Sequence, residues 1–205
     1  MQERNLASSA FVHAGRQKRH GLFKIPGVES SDQGGGIAIS GNKNQILKNL
    51  VGDSGKGNKG DGVHLSGYGN TVQENKVFAN TGDGINVAGG TSAKPNVIFK
   101  NAAGDRGKGN GGHGITVAGT GNGTGSPAEI ELNTAKANGG HGVRVTGTGH
   151  ELKDNASGGG SGDDNGKCEF SVVSGNVNAA GNTANGVAIA GASGSAFPTA
   201  CQGTP

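Results

Sequence analysis

The sequence predicts an all-β protein, a right-handed parallel β-helix (solenoid) of about seven coils with three short strands in each coil. A recurring six-residue phrase, an asparagine that closes the segment after each phrase, and a glycine-rich composition with 44 glycines in 205 residues and no tryptophan all predict this fold. Self-similarity at this spacing is typical of solenoids, propellers and arrays. The phrase reads Gly, aliphatic, any residue, aliphatic, small residue, Gly, and it occurs at Gly36–Gly41, Gly62–Gly67, Gly84–Gly89, Gly114–Gly119, Gly142–Gly147 and Gly186–Gly191.

Each phrase predicts one strand with a buried face, because its two aliphatic residues alternate with a residue that faces outward. Strands this short cannot pair within one coil, so each must stack on the equivalent strand of the next coil. The longest gap between phrases, from Gly142 to Gly186, fits two coils, and the segment 167–173 supplies the strand of the coil between them. The aliphatic residues of successive coils then form a narrow core that needs few aromatic residues.

The asparagines that close the segments predict a ladder along the stack. Three residues before each of them lies an aliphatic residue, so they share one register. Asparagine tolerates the left-handed region, and stacked asparagine side chains can hydrogen-bond from coil to coil. The residues concerned are Asn49, Asn75, Asn101, Asn133 and Asn155.

The pattern divides the chain into three parts. Residues 1–33 do not match the repeat and form either an N-terminal cap or a flexible segment, residues 34–195 form the β-helix, and residues 196–205 form a C-terminal tail. Cys168 and Cys201 are predicted to form a disulfide that tethers this tail, since no His–Cys cluster suggests a zinc site. A disulfide would indicate an oxidising compartment.

Charge and hydropathy exclude two classes of partner. The net charge is +3, and the repeat body carries thirteen Lys and Arg against twelve Asp and Glu, so it lacks the basic stripe of a nucleic-acid-binding protein. No stretch approaches the roughly 18 apolar residues of a membrane span. The first residues lack the apolar core of a signal peptide, so the given chain shows no export signal.

Residues 82–89 and 70–80 resemble right-handed parallel β-helix repeat proteins, a group similar in fold to pectate lyases, alginate epimerases and NosD-like periplasmic proteins. The resemblance covers about residues 34–195 and rests on the scaffold itself. It implies an extracellular or periplasmic protein that binds or modifies polysaccharide, as a lyase, an epimerase or a glycoside hydrolase if it is an enzyme. The alternative is a non-catalytic structural or surface solenoid.

Two outward columns carry the candidate site. Because coils stack about 4.8 Å apart, the polar members of both columns would form one patch across four coils. The first column is the middle residue of each phrase, namely Ala38, His64, Asn86, Thr116, Arg144 and Ala188. The second column is the residue before each phrase, namely Gly35, Asp61, Asp83, His113, His141 and Asn185.

For uronate chemistry, His113 or His141 would remove the proton, Arg144 would neutralise the substrate carboxylate and Asp83 would orient the base. His64, Asn86, Thr116 and Asp61 would contact the substrate. In a hydrolase Asp61 and Asp83 would be the carboxylate pair. Residues of these types before a glycine are also common in ordinary turns. The motifs of alginate epimerases and pectate lyases are absent.

No cofactor is predicted. Calcium is the one metal left open, because several aspartates supply the oxygen ligands that it prefers. The nonapeptide of calcium-binding β-rolls is absent, however. The aspartates are Asp61, Asp83, Asp105, Asp163 and Asp164.

Overall fold

The computed structural model describes residues 10–12, 22–23, 35–52, 57–90, 94–120, 130–173, 177–189, 195–196 and 201–202. These residues form three sheets of stacked short strands and contain no helix, which confirms the predicted parallel β-helix. Each coil contributes one strand to each sheet in turn, so neighbours within a sheet come from successive coils.

The first sheet contains the strands of the phrases and consists of Ala10–Val12, Ile37–Ser40, Val63–Ser66, Ile85–Ala88, Ile115–Thr120, Val143–Thr148, Phe170–Val172 and Cys201–Gln202. The second sheet consists of Leu22–Phe23, Gln45–Leu47, Thr71–Gln73, Val97–Phe99, Ile130–Glu131, Glu151–Lys153, Asn178–Ala180 and Ser195–Ala196. The third sheet consists of Leu50–Val51, Lys76–Val77, Ala102–Ala103, Thr134–Ala135, Ala156–Ser157, Thr183–Ala184 and Val187–Ala188.

The strands of the repeat pair in parallel and in register, so equivalent residues stack directly. Val117, for example, lies between Val87 and Val145. This register places the aliphatic residues of each phrase in continuous buried columns, as the alternation predicted. One column consists of Ile39, Leu65, Val87, Val117, Val145 and Val172, all nearly inaccessible to solvent.

The predicted asparagine ladder is present between the second and third sheets. Asn101 shows its geometry: its Oδ1 accepts from the backbone and side-chain nitrogens of Asn75, each at 3.0 Å. Its own Nδ2 donates to Asn133 Oδ1 at 3.0 Å and to the carbonyl of Val72 at 2.8 Å. The ladder runs through Asn49, Asn75, Asn101, Asn133, Asn155 and Asn182.

The left-handed residues of this turn are the ones before the asparagines, contrary to the expectation that asparagine itself would take that conformation. Lys48, Glu74 and Lys100 have φ values of 56°, 54° and 54°. A left-handed non-glycine residue costs about 1–2 kcal/mol. The conformation recurs because it aims the following asparagine into the interior, where the ladder's hydrogen bonds offset the strain.

A second buried ladder, which was not predicted, lies between the third sheet and the first. Each of its asparagines stands four residues before the glycine that opens a phrase, or before Glu169 in the last of these coils. This constant interval is a sequence signal that could have revealed the ladder. The ladder runs through Asn58, Asn80, Asn110, Asn138 and Asn165. Its last member donates to the carboxylate of Glu169, which is fully buried.

The last phrase does not form the strand predicted for it. Asn185 and Gly186 both have positive φ, 51° and 76°, and connect Thr183–Ala184 to Val187–Ala188 as an antiparallel pair in the third sheet. Asn-Gly with two positive φ angles is the preferred two-residue hairpin turn. Ala188 and Asn185 therefore do not belong to the two outward columns of the first sheet, and their assignment there was wrong.

The sixth strand of the phrase column is Phe170–Val172, as the long gap predicted. Five successive parallel pairings lead from Ile37–Ser40 to this strand. The stack is therefore slightly shorter than the predicted seven coils, because the hairpin ends it. Each sheet finishes with an antiparallel strand at this end, which closes a stack of parallel edges against further pairing.

At the other end, Ala10–Val12 pairs in parallel with Ile37–Ile39 and Leu22–Phe23 pairs with Gln45–Ile46. The remaining residues of 1–33 lie outside the described residues, so the predicted domain boundaries stay a prediction.

Candidate functional site

The polar patch predicted on the first sheet is assembled by the register of its strands. We call Asp61, Asp83, His113 and His141 the corner row, because they lie at the turn that leads into the first sheet. We call His64, Asn86, Thr116 and Arg144 the face column, because they stack on the outward face of that sheet. All eight residues therefore occupy neighbouring positions on four successive coils.

The corner row is a ladder that binds each coil to the next. Asp61 Oδ1 accepts from the backbone N–H of Asp83 at 2.9 Å, and Asp83 Oδ1 accepts from that of His113 at 2.7 Å. His113 Nδ1 accepts from the N–H of His141 at 2.8 Å, and His141 Nδ1 accepts from that of Cys168 at 3.1 Å. Aspartate and histidine thus form a further ladder beside the buried asparagine ladder of the same turn.

The second oxygen of each aspartate is also occupied. Asp61 Oδ2 accepts from Asn86 Nδ2 at 2.9 Å and lies 3.3 Å from His64 Nδ1. Asp83 Oδ2 accepts from the hydroxyl of Thr116 at 2.7 Å. Both carboxylates are therefore held by the neighbouring column. Neither is left as a free base, and the two are hydrogen-bonded to the scaffold rather than aimed at a common point in solvent.

The two imidazoles stack, with ring centroids 4.9 Å apart and planes 12° from parallel. An Nδ1 that accepts a backbone N–H carries no proton, so each ring is the neutral tautomer with its proton on Nε2. Burial is the main cause that lowers the pKa of His113, and the charges of Arg144 and Lys167 lower it further while Asp83 opposes them.

Burial also lowers the pKa of His141, the charges of His113, Lys167 and Arg144 lower it further, and a hydrogen bond with the backbone of Cys168 opposes them. Both rings are consequently neutral at pH 7. Because the one lone pair of each neutral ring already accepts a hydrogen bond, each offers an Nε2–H donor rather than a vacant base.

Arg144 lies between Thr116 and Ser171 in register and is half-buried. It is the cation of the face column, at the end of the patch where the imidazoles lie. His64 and Asp61 lie at the opposite end. The patch thus runs from a carboxylate end to a cationic end along the solenoid.

Among the described residues, no cluster of three or more His, Cys, Asp or Glu side chains could hold a metal ion. The outward face of the first sheet is regular, with alternating buried and half-buried residues. A shallow groove found on the described surface lies over the third sheet instead, and it is lined by Lys76, Phe78, Ala102, Gly104, Asp105, Thr134 and Lys136.

The predicted disulfide stays a prediction. The strand Cys201–Gln202 pairs antiparallel with Phe170–Val172, and Ser171 is opposite Cys201. The backbone thus brings the tail back to the coil that begins just after Cys168.

No protein-family model matches the chain, and no curated protein or solved structure matches it either. The described residues also contain no helix with the length and apolar character needed to cross a membrane.

Proposed function

We propose that the protein is a non-catalytic parallel β-solenoid that acts as a binding or structural module. The observation that carries this proposal is that the side chains of the corner row link successive coils. The groups with the strongest acid–base chemistry on the outward face, Asp61, Asp83, His113 and His141, all accept backbone hydrogen bonds from the next coil. Each neutral imidazole has a single lone pair, so it would have to break this link between coils before it could take a proton, and each carboxylate is held to the scaffold through both of its oxygens.

An extended polysaccharide is the ligand class that we propose for a binding module of this shape. A row of polar groups repeated at the coil spacing of about 4.8 Å suits a long, hydroxyl-rich chain better than a compact ligand. Extracellular or periplasmic location goes with this proposal. The predicted disulfide would support such a location, because disulfides persist in oxidising compartments.

The competing proposal is a polysaccharide lyase or epimerase in which His113 or His141 is the base, Arg144 neutralises the uronate and Asp83 orients the base. A hydrolase built on Asp61 and Asp83 is the third possibility. The fold is compatible with each of them, because fold alone does not determine function.

His141→Ala separates the proposals. If His141 is a ladder member, the variant leaves the N–H of Cys168 without its acceptor and should lose about 1–3 kcal/mol of stability. The matched control is His64→Ala, since the His64 side chain is more exposed and its ring nitrogen lies 3.3 Å from the side chain of Asp61 rather than from a backbone N–H. We expect urea unfolding to show a clear loss for the first variant and little change for the second.

The same proteins should be incubated with pectate, alginate and hyaluronan, and the unsaturated product of a lyase read by its ultraviolet absorbance. We expect no turnover. Turnover by the natural protein that disappears in His141→Ala without a loss of stability would overturn the non-catalytic proposal.

A further inference from the structure

The cationic end of the polar patch has unpaired positive charge. Lys48, Lys136 and Lys153 each lie within ion-pairing distance of a carboxylate. Within the described part of the chain, Arg144 and Lys167 have no such partner. Arg144 on the face column and Lys167 at the corner of the following coil, where its N–H donates to the carbonyl of Gly140, are two cations with which an anion from outside the protein could pair.

The imidazoles add two oriented donors to these charges. His113 and His141 use Nδ1 for the ladder, so the proton of each ring is on Nε2. The rings are nearly parallel and one coil apart, so their two N–H groups are presented side by side. The positive charges of Arg144 and Lys167 both lower the pKa of each ring, so both cations lie near the imidazole pair.

Two carboxylates lie near this cluster, and within the described residues neither forms an ion pair with Arg144 or Lys167. Asp83 adjoins His113, but its two oxygens accept from the His113 backbone and from Thr116. Glu169, two residues after Lys167, is fully buried and accepts from Asn165 and Ser157 inside the coil. Glu169 is thus withdrawn into the coil, whereas Asp83 stays in the patch and its charge opposes those of Arg144 and Lys167 at His113.

We propose that Arg144, Lys167 and the Nε2–H groups of His113 and His141 form a binding site for one oxyanion, a sulfate ester or a carboxylate, carried by an acidic glycan. Arginine offers two parallel N–H donors to such a group, and lysine contributes a point charge. The imidazoles complete the set with neutral donors whose orientation is fixed by the ladder. This inference rests on the proposed binding function and names the chemical class of its ligand.

Inorganic sulfate is the probe for the first experiment. Sodium sulfate should be titrated into the protein against sodium chloride of equal ionic strength, while NMR follows the imidazole resonances of His113 and His141. We expect a saturable shift with sulfate and none with chloride. Arg144→Gln combined with Lys167→Gln should weaken sulfate binding at least about tenfold, which is about 1.4 kcal/mol.

Lys76→Gln is the matched control, because Lys76 is an exposed lysine of the third sheet and should leave sulfate binding unchanged. Circular dichroism confirms that each variant keeps the fold. Shifts that follow ionic strength alone, or that survive in the Arg144 and Lys167 double variant, would overturn the site.

A second experiment distinguishes the two sources of the oxyanion. Sulfated and carboxylated oligosaccharides of equal charge should be compared with a neutral oligosaccharide of equal length. Tighter binding of one acidic ligand identifies its group as the natural one, while equal binding of the neutral ligand contradicts the proposal. The two proposals fail in different ways. Absence of sulfate binding would contradict the oxyanion site but not the non-catalytic function. Glycan turnover would contradict the non-catalytic function but not sulfate binding.

Discussion

Asn101→Ala is the sharpest test of how this solenoid is held together. Asn101 is buried in the middle of the ladder between the second and third sheets, with 1% of its surface exposed. Alanine removes both its acceptor and its donors while the backbone still has to adopt the left-handed turn at Lys100, where φ is 54°. The variant therefore keeps the strain of the turn and loses the interactions that offset it.

The magnitude follows from the individual contacts. The backbone N–H of Asn75 loses its acceptor at 3.0 Å, and an orphaned buried donor costs about 1–3 kcal/mol. The Nδ2 of Asn75 keeps its hydrogen bond to the carbonyl of Ile46, and the Oδ1 of Asn133 keeps the one from the backbone N–H of Asn101. Each of these two groups therefore loses one hydrogen bond and retains another. We expect a loss of about 3 kcal/mol in total, which lowers the Tm by roughly 6–12 °C for a chain of this size.

Urea unfolding followed by circular dichroism measures this loss, and a thermal scan gives the Tm. The matched control is Asn86→Ala, because Asn86 is half-buried on the outward face and its Nδ2 donates to the part-buried side chain of Asp61 rather than to a buried backbone group. The control should lose less than about 1 kcal/mol. If Asn101→Ala unfolds at the same urea concentration as the control, the ladder does not stabilise the stack and the reasoning fails.

Four further predictions address the core, the end of the second ladder, the histidines and the cysteines. Val117→Asp places a charge in the buried column, at 3% exposure, and should prevent folding, whereas Ala118→Asp on the outward side should fold; a stable Val117→Asp would refute the inward register. Glu169→Ala should cost about 2–4 kcal/mol in urea unfolding, since it orphans the buried N–H of Asn165, while Glu151→Ala should be nearly neutral. The pKa values of His113 and His141 are lowered below 6.5 by burial, so the unfolded chain binds protons first and stability should fall as the pH drops below about 6.5; replacing both by Asn should flatten this dependence, and an unchanged pH profile would contradict the neutral rings. Thiol titration of the unreduced, denatured protein should find no free thiol if Cys168 and Cys201 are bridged, and two free thiols would exclude the bridge.

The repeat could be predicted from the sequence because its signals are local and recur. Alternation within each phrase determines which residues are buried, and the constant interval from Ile98 to Asn101 or from Ile130 to Asn133 determines the register of the ladder. The hairpin at Asn185-Gly186 carried an equally local signal. It was missed because the segment from Gly186 also matches the phrase, and only the φ of 76° distinguishes that glycine from the earlier ones.

The candidate site could be predicted only as a set of neighbours. Spacing along the chain places His113 next to His141 in the stack, but it does not determine which ring nitrogen faces the backbone of the next coil. That choice decides whether a histidine is a base or a link between coils, because an Nδ1 that accepts a backbone N–H has no lone pair left for chemistry. Side-chain direction at a turn depends on the conformation of residues on both coils, and this information is not contained in the spacing.

Glu169 shows how the sequence specifies where the second ladder ends. Its position is occupied by glycine in the five preceding phrases, at Gly36, Gly62, Gly84, Gly114 and Gly142. A Cβ at Gly142 would collide with Ser157 Oγ of the same coil, and it would approach the Nδ2 of Asn165 to 2.6 Å and the carbonyl of Glu169 to 2.7 Å. The last two obstacles belong to the following coil, so part of the steric demand for glycine is removed where the chain turns back at Asn185. A carboxylate in place of the missing asparagine then accepts the last pair of N–H groups. A glycine at this position would remove the acceptor of the buried Asn165 backbone N–H, while Asn165 Nδ2 would keep the carbonyl of Ala135 and the hydroxyl of Ser157, so the glutamate closes the ladder at its last backbone donor.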